Sequence, residues 1–194
     1  MINTGSGQNS TSAPYPTELE EEIALPSGCV VTLRPIRPND EADHLDLLHH
    51  LSREDSRWRF FATIKDMGHA EISRFTCIDY DTEMAFIATQ SKPDGSTQTL
   101  GVVRTAILPG GDKAEFAIVV RSEDKHQGLG WAMMQKMFHY LEHRGVQRII
   151  GEVMAGNHNM LAFAHDLGFE SQFSPTDGVS KIWKDLSPSL PTDS

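Results

Sequence analysis

The chain has 194 residues, 39% of them hydrophobic, enough for one well-buried core and too few for two comfortable domains. Its 17 Lys and Arg stand against 27 Asp and Glu, a formal net charge of −10, which argues against a nucleic acid or an anionic membrane as main partner, since both are bound through an excess of cations. The first residues lack the basic and apolar regions of a signal peptide and no run of 18 apolar residues occurs, so the cytoplasm is the expected location.

Residues 1–24 are rich in Ser, Thr, Gly, Pro and Glu and read as a mobile acidic tail; residues 188–194 read the same way, leaving one domain over 25–187. "CVVTLRPI" is a β-run closed by Pro35 and Pro38, after which Asn39 or Asp40 offers an N-cap for the helix "EADHLDLLHHLS". "REDSRWRFF" and "MGHAEISRFTCI" continue in helical period. "EMAFIATQ" and "TLGVVRTAIL" are β-runs joined by "SKPDGSTQ", whose Pro-Asp-Gly signals a hairpin turn. "DKAEFAIVVR" is a further strand. From Leu129 an apolar set at helical spacing runs to Gly145, followed by the strand "QRIIGEVM", the helix "HNMLAFAHDL" and a last strand "VSKIWKDL". This order predicts an α/β fold: one mixed, mostly antiparallel twisted sheet of about six to seven strands with about four flanking helices. Cys29 and Cys77 lie far apart with no CxxC, so free thiols are expected.

Between "EFAIVV" and the long helix stands "SEDKHQGLG". A strand running through a glycine-rich turn into a helix leaves main-chain N–H groups unpaired at the positive end of the helix dipole, where a phosphate can be held. Gly128 and Gly130 lack the Cβ atoms that would keep a ligand from the backbone, and Lys125 adds a charge. A plain turn needing positive φ explains the pair about as well. Neither GxxxxGK[ST] nor GxGxxG is present, so P-loop and dinucleotide-binding folds match poorly.

Lys125, His126, Gln127, Gly128, Leu129 and Gly130 occupy the six positions of the Q/R-x-x-G-x-G/A signature, and the chain here resembles the GNAT superfamily of acetyl-CoA-dependent N-acetyltransferases. "LRPIRPNDEADHLDLLHHLSREDSRWRFF", "AEFAIVVRSEDKHQGLG" and "GEVMAGNHNMLAFAHDLGFE" resemble the opening, central and C-terminal parts of that domain in bacterial protein lysine acetyltransferases. The resemblance spans roughly residues 28–186. It implies that the main chain of Ile118, Val119 and Val120 pairs with the pantetheine arm of acetyl-CoA, that N–H groups from Lys125 through Trp131 hold the pyrophosphate, and that Asn157 hydrogen-bonds the arm. Asn157 also reads as an ordinary Asx turn or N-cap, and Trp131 as packing rather than stacking.

Acetyl transfer to an amine needs a base, because a lysine-like amine has a pKa near 10.4 and its neutral form at pH 7 costs about 4.6 kcal/mol. Period-2 alternation puts Glu115 on the face of Ala117 and Val119, among apolar neighbours whose burial would raise its pKa, and the resemblance supports the same residue as catalyst. Glu152, on the next strand, is the rival: second base, water holder or structural acceptor. The N–H of Val119 is the expected donor to the oxygen that gains charge. Many relatives carry an acidic tyrosine seven residues after the motif asparagine; here Ala164 stands there, leaving His165, solvent or unassisted departure of the thiolate.

His139 and His143 share a helix face without a third ligand, so no metal site is expected. "SRWRFF" lies where the family forms its substrate-side wall and also reads as core packing. The resemblance implies acetyl-CoA as co-substrate and a primary-amine acceptor, foremost a protein lysine, on an acyl-CoA synthetase or another protein, in a monomer or homodimer. A small-molecule amine acetyltransferase and a non-catalytic acyl-CoA-binding sensor are the alternatives.

Overall fold

A computed structural model describes residues 13–60 and 69–187; residues 1–12 and 188–194, expected as mobile tails, and Phe61 of "SRWRFF" lie outside the described residues. The elements are β1 (Glu21–Ala24), β2 (Val30–Pro35), α1 (Glu41–His49), α2 (Arg53–Phe60), α3 (His69–Thr76), β3 (Glu83–Ser91), β4 (Thr97–Ile107), β5 (Lys113–Val120), α4 (Leu129–His143), β6 (Arg148–Met154), α5 (His158–Asp166), β7 (Glu170–Ser174) and β8 (Val179–Asp185). One sheet of eight strands runs β1-β2-β3-β4-β5-β6-β8-β7. All neighbours are antiparallel except β5 and β6. The expected mixed sheet is present, with eight strands rather than about six to seven and five α-helices rather than about four among the described residues. No helix among the described residues is long and apolar enough to cross a membrane.

The alternation of side chains along each strand divides the core between the two faces of the sheet. On one face, Met133, Met134, Met137, Phe138 and Leu141 of α4 pack on Leu33, Phe86, Val103, Phe116, Ile149 and Ile182. On the other, Leu47 of α1 packs on Ile36, Ile87, Val102 and Val119. Asp40 does not cap α1 with its side chain, contrary to expectation. Instead its buried carboxylate accepts two hydrogen bonds from Arg34, at 2.8 and 2.7 Å, and one from Arg37 N at 2.7 Å. The bidentate pair pins the end of β2 to the turn before α1.

The described part of the presumed tail, residues 13–24, is attached. β1 pairs with β2 from Glu21–Leu33 to Ala24–Val30, and Lys136 of α4 reaches Glu21 at 2.7 Å. Ahead of it, Tyr15 donates to Glu20 at 2.6 Å, lies 4.3 Å beneath the Arg37 guanidinium, and meets Tyr80 edge-on at 5.9 Å. Burial, then the hydrogen bond to the Glu20 carboxylate, pushes the Tyr15 hydroxyl up to about 12.

At the far end of β5, Arg121 carries a side chain only 1% exposed. Its Nε donates to Thr99 O at 2.7 Å, and its guanidinium pairs with Asp46 of α1. This group fixes the exit of β5 against β4 and α1 just before the glycine-rich turn. Replacing Arg121 by Ala leaves the buried Thr99 carbonyl without its donor and removes a long packed stem; the expected loss is about 3 kcal/mol, read by urea denaturation. Tyr15→Phe should lower the melting temperature at neutral pH. A raised hydroxyl pKa stabilises the fold fully below the unfolded value of 10.0 and loses that contribution as pH rises towards 12, so the gap between the two proteins should close over that interval in a pH series of thermal melts.

Candidate active site

β5 and β6 are paired only at Lys113–Arg148, Ala114–Ile149 and Glu115–Ile150, and beyond Glu115 they part. The hydrogen-bond pattern identifies which main-chain groups this leaves facing the gap. Leu108 N donates to Lys113 O and Arg121 N to Leu100 O, so the odd-numbered residues of β5 exchange bonds with β4. On the opposite side Asp112 O accepts from Gln147 and Arg148. Ile118 and Val120 therefore turn N–H and C=O into the gap. Val119 pairs with Val102 instead, and its side chain is buried in the α1-side cluster. This corrects the expectation that the Val119 N–H faces the site: the Ile118 and Val120 N–H groups are the ones turned into the gap.

The turn after β5 runs through a short 3-10 segment, Ser122–Asp124, to α4. His126 adopts φ 65°, and Gly128, the residue capping α4, φ 87° with no side-chain cap. Positive φ at these two positions turns the main chain at the helix N-terminus, where the first N–H groups have no partner within the helix and the dipole favours an anion. Gly128 is needed for its φ and because a Cβ there would lie 3.0 Å from Pro26 Cδ. Gly130 serves helix packing: its Cβ would lie 3.3 Å from Phe163 Cζ of α5. Leu129 is buried in the core, and neither it nor Gln127 lines the cleft described below. Trp131, expected to pack, is 45% exposed at the cleft.

A cleft of about 630 Å³ joins the fork and the turn. Glu115, Glu152, Ile118, Val119, Val120, Lys125, His126, Gly128, Gly130, Trp131 and Asn157 all line it. Glu115 is exposed rather than buried among apolar neighbours, and it stands at the last position where β6 still pairs with β5. Glu152, also exposed, lies two residues beyond the last paired residue of β6. Ile149 and Val153 face the α4 side with Phe116, so alternation places Glu152 on the same face of the sheet as Glu115. Asn157 caps α5, its Oδ1 accepting from Met160 N at 3.1 Å, so the N-cap reading holds while the residue still lines the cleft.

Three acidic cleft residues had no role assigned from the sequence: Asp55 of α2, Asp124 and Asp166. Burial, with the neighbouring Glu123 charge, raises the Asp124 carboxyl above its usual value. Trp58 forms part of the cleft wall from α2, and a Cβ on Gly156 would lie 3.0 Å from its ring. Ala164 is buried in the core, and His165 is exposed but does not line the cleft, so it is not placed to protonate a leaving thiolate there. His143 Nδ1 lies 2.7 Å from His139 O, and the described residues hold no group of three or more potential metal ligands.

Comparison with known proteins places this geometry. Residues 31–170 match the acetyltransferase (GNAT) domain family. An acetyltransferase of Pseudomonas aeruginosa is 26% identical over 159 residues, 82% of this chain and 85% of that protein. The GNAT domain of S. lividans PAT superposes with a TM-score of 0.79 at 27% identity, covering 89% of this chain and 99% of that one. Spermidine N-acetyltransferase from Vibrio cholerae, solved with CoA and spermine, shares the fold alone, with a TM-score of 0.62 at 17% identity over 81% and 96% of the two chains. The parted strands, the glycine-capped head of α4 and the matched family model agree: the chain belongs to the GNAT family of acetyltransferases.

Proposed function

We propose that the chain transfers the acetyl group of acetyl-CoA to a primary amine, a protein lysine in the first instance, by direct attack with Glu115 as general base. One observation carries the reading: an exposed carboxylate stands at the last paired position of β5, in the same cleft as the anion-binding turn. The residues present fit the co-substrate. Main-chain N–H groups between Lys125 and Trp131, with the dipole of the 15-residue α4 behind them, suit a pyrophosphate. The N–H and C=O groups of Ile118 and Val120 suit the amides of a pantetheine arm laid as an extra strand. Asn157 borders the same path. Acetyl-CoA supplies an activated acetyl group on a thiol whose ordinary pKa is about 8.5, so departure as thiolate with solvent protonation is adequate without a tyrosine at Ala164.

Glu115 takes the proton that the attacking amine must lose, and Glu152, on the same face, is the second carboxylate able to orient or relay it. Trp58 forms the wall on the α2 side. Exposure of both glutamates gives a long side chain on a folded partner access to the base, which supports a protein lysine, as does the resemblance to bacterial protein lysine acetyltransferases. A polyamine-like acceptor is the second reading, favoured by the five carboxylates of Asp55, Glu115, Asp124, Glu152 and Asp166 along the cleft. The free thiols of Cys29 and Cys77 fit a cytoplasmic setting.

The test is thiol release from acetyl-CoA against a panel of lysine-bearing proteins, an acyl-CoA synthetase among them, and of small amines including spermine. Glu115→Gln should lower kcat by about a hundred- to ten-thousandfold. CoA affinity, measured by calorimetry, should stay within about threefold, since the substitution is isosteric and lies away from the turn at the head of α4. Glu152→Gln should cost about tenfold, less than the loss of a general base, as befits an assisting group. A Glu115→Gln enzyme with undiminished kcat removes the base assignment. CoA binding by the wild type with no acceptor modified turns the reading to the sensor.

A further inference from the structure

The cleft proposed to hold a diphosphate is lined by a carboxylate whose two oxygens are both engaged by the anion-binding turn. Asp55, in the first turn of α2, holds the Lys125 ammonium on Oδ1 and the Ser122 hydroxyl on Oδ2. Ser122 Oγ in turn accepts from Ser52 N at 2.8 Å, and Ser52 Oγ accepts from Asp55 N at 3.0 Å. Three of these contacts tie the start of α2 to residues 67 to 70 positions away in the chain. Lys125 is the only lysine or arginine lining the cleft among the described residues, so its ammonium is the natural side-chain partner for a phosphate. It is already held by an anion. Burial pushes the Asp55 carboxyl up, but the hydrogen bonds from Lys125 and Ser122 outweigh it and hold the group below the usual carboxylate value, so it is ionised at neutral pH.

A carboxylate in this position weakens the hold of the one lining cation that would assist a nearby diphosphate. An enzyme that binds acetyl-CoA and must let CoA go on every turnover gains from that competition, because main-chain donors supply recognition while release stays fast. Resting on the acetyl-CoA reading above, we infer that Asp55 is a positioning residue acting through Lys125: it competes with the cofactor phosphates for the ammonium and so sets the affinity for CoA. Asp55 does not touch the reacting atoms in this assignment. Its other contacts, to Ser122 and through it to Ser52, keep the turn and α2 together while the lysine changes partners.

The experiment is isothermal titration of CoA into the full chain and its variants, with thermal melts to confirm folding. The Lys125 and Asp55 side chains are 38% and 18% exposed, so the pair is partly screened, and the coupling expected for such a pair corresponds to about three- to fivefold in Kd. Asp55→Asn should therefore bind CoA about three- to fivefold more tightly, the reverse of what loss of a structural prop would do. Lys125→Met should bind more weakly than wild type. In the Lys125→Met background, Asp55→Asn should leave the affinity unchanged, because the competition passes through the ammonium. Asp55→Glu, which retains the charge, should restore an affinity near that of wild type. Binding of CoA by Asp55→Asn no tighter than by wild type overturns the assignment, as does a gain that persists without Lys125. No binding of CoA by the wild type would instead overturn the proposed function itself, so the two failures are distinguishable.

Discussion

β5 and β6 are the one parallel pair in an otherwise antiparallel sheet, and they stay paired only as far as Glu115 and Ile150. A parallel pair needs a crossover, and here that crossover is α4, which packs across β3, β4 and β5. Its N-terminus must consequently lie near the C-terminal end of β5, the end where the strands part. Unpaired N–H groups at a helix head and unpaired main-chain groups along a strand edge are thereby brought to one place by topology alone. Packing on the α4 side holds the arrangement: Phe116 lies so close over Gly151 that a Cβ there would sit 2.8 Å from the ring, and Phe116 stacks at 5.2 Å from Phe169. Gly130 lets Phe163 of α5 approach α4 beside Ile118.

Much of this was legible in the sequence because the long strands and α4 carry strong periodicity. The elements it did not reveal were the sheet's two edges. β1 is "EEIA", four residues inside an acid-rich stretch, and becomes a strand only because β2 offers a partner and Leu25 enters the core. β7 is "ESQFS", with Phe173 exposed, and its place is set by pairing with β8. Neither has an apolar pattern of its own, so tertiary pairing decides what local propensity does not. At the site, alternation gave Glu115 the correct face but not its exposure, since exposure depends on which neighbouring elements cover that face of the sheet. Which of Ile118, Val119 and Val120 faces the gap depends on the β4–β5 register, which side-chain alternation does not carry. Asp55 was invisible for a simpler reason: its partner Lys125 is 70 residues away in sequence.

The net charge of −10 and a site for a polyanion look contradictory only if recognition is assumed to come from side-chain cations. Main-chain N–H groups carry no net charge, and the head of a helix concentrates their dipoles where an anion can sit. The glycine-rich turn can therefore serve a phosphate inside a protein whose net charge is negative. Under the proposed reaction the negative charge has a use of its own elsewhere in the cleft. An amine acceptor is cationic until its proton is removed, so carboxylates such as Glu115 and Glu152 would draw it in before one of them is needed as a base. Under the proposed reaction the same field that favours the acceptor disfavours the spent cofactor, and a carboxylate beside the only lining lysine sharpens the second effect. Acceptor capture and CoA release then share one electrostatic cause. The main-chain donors, indifferent to that field, provide the recognition that both steps require.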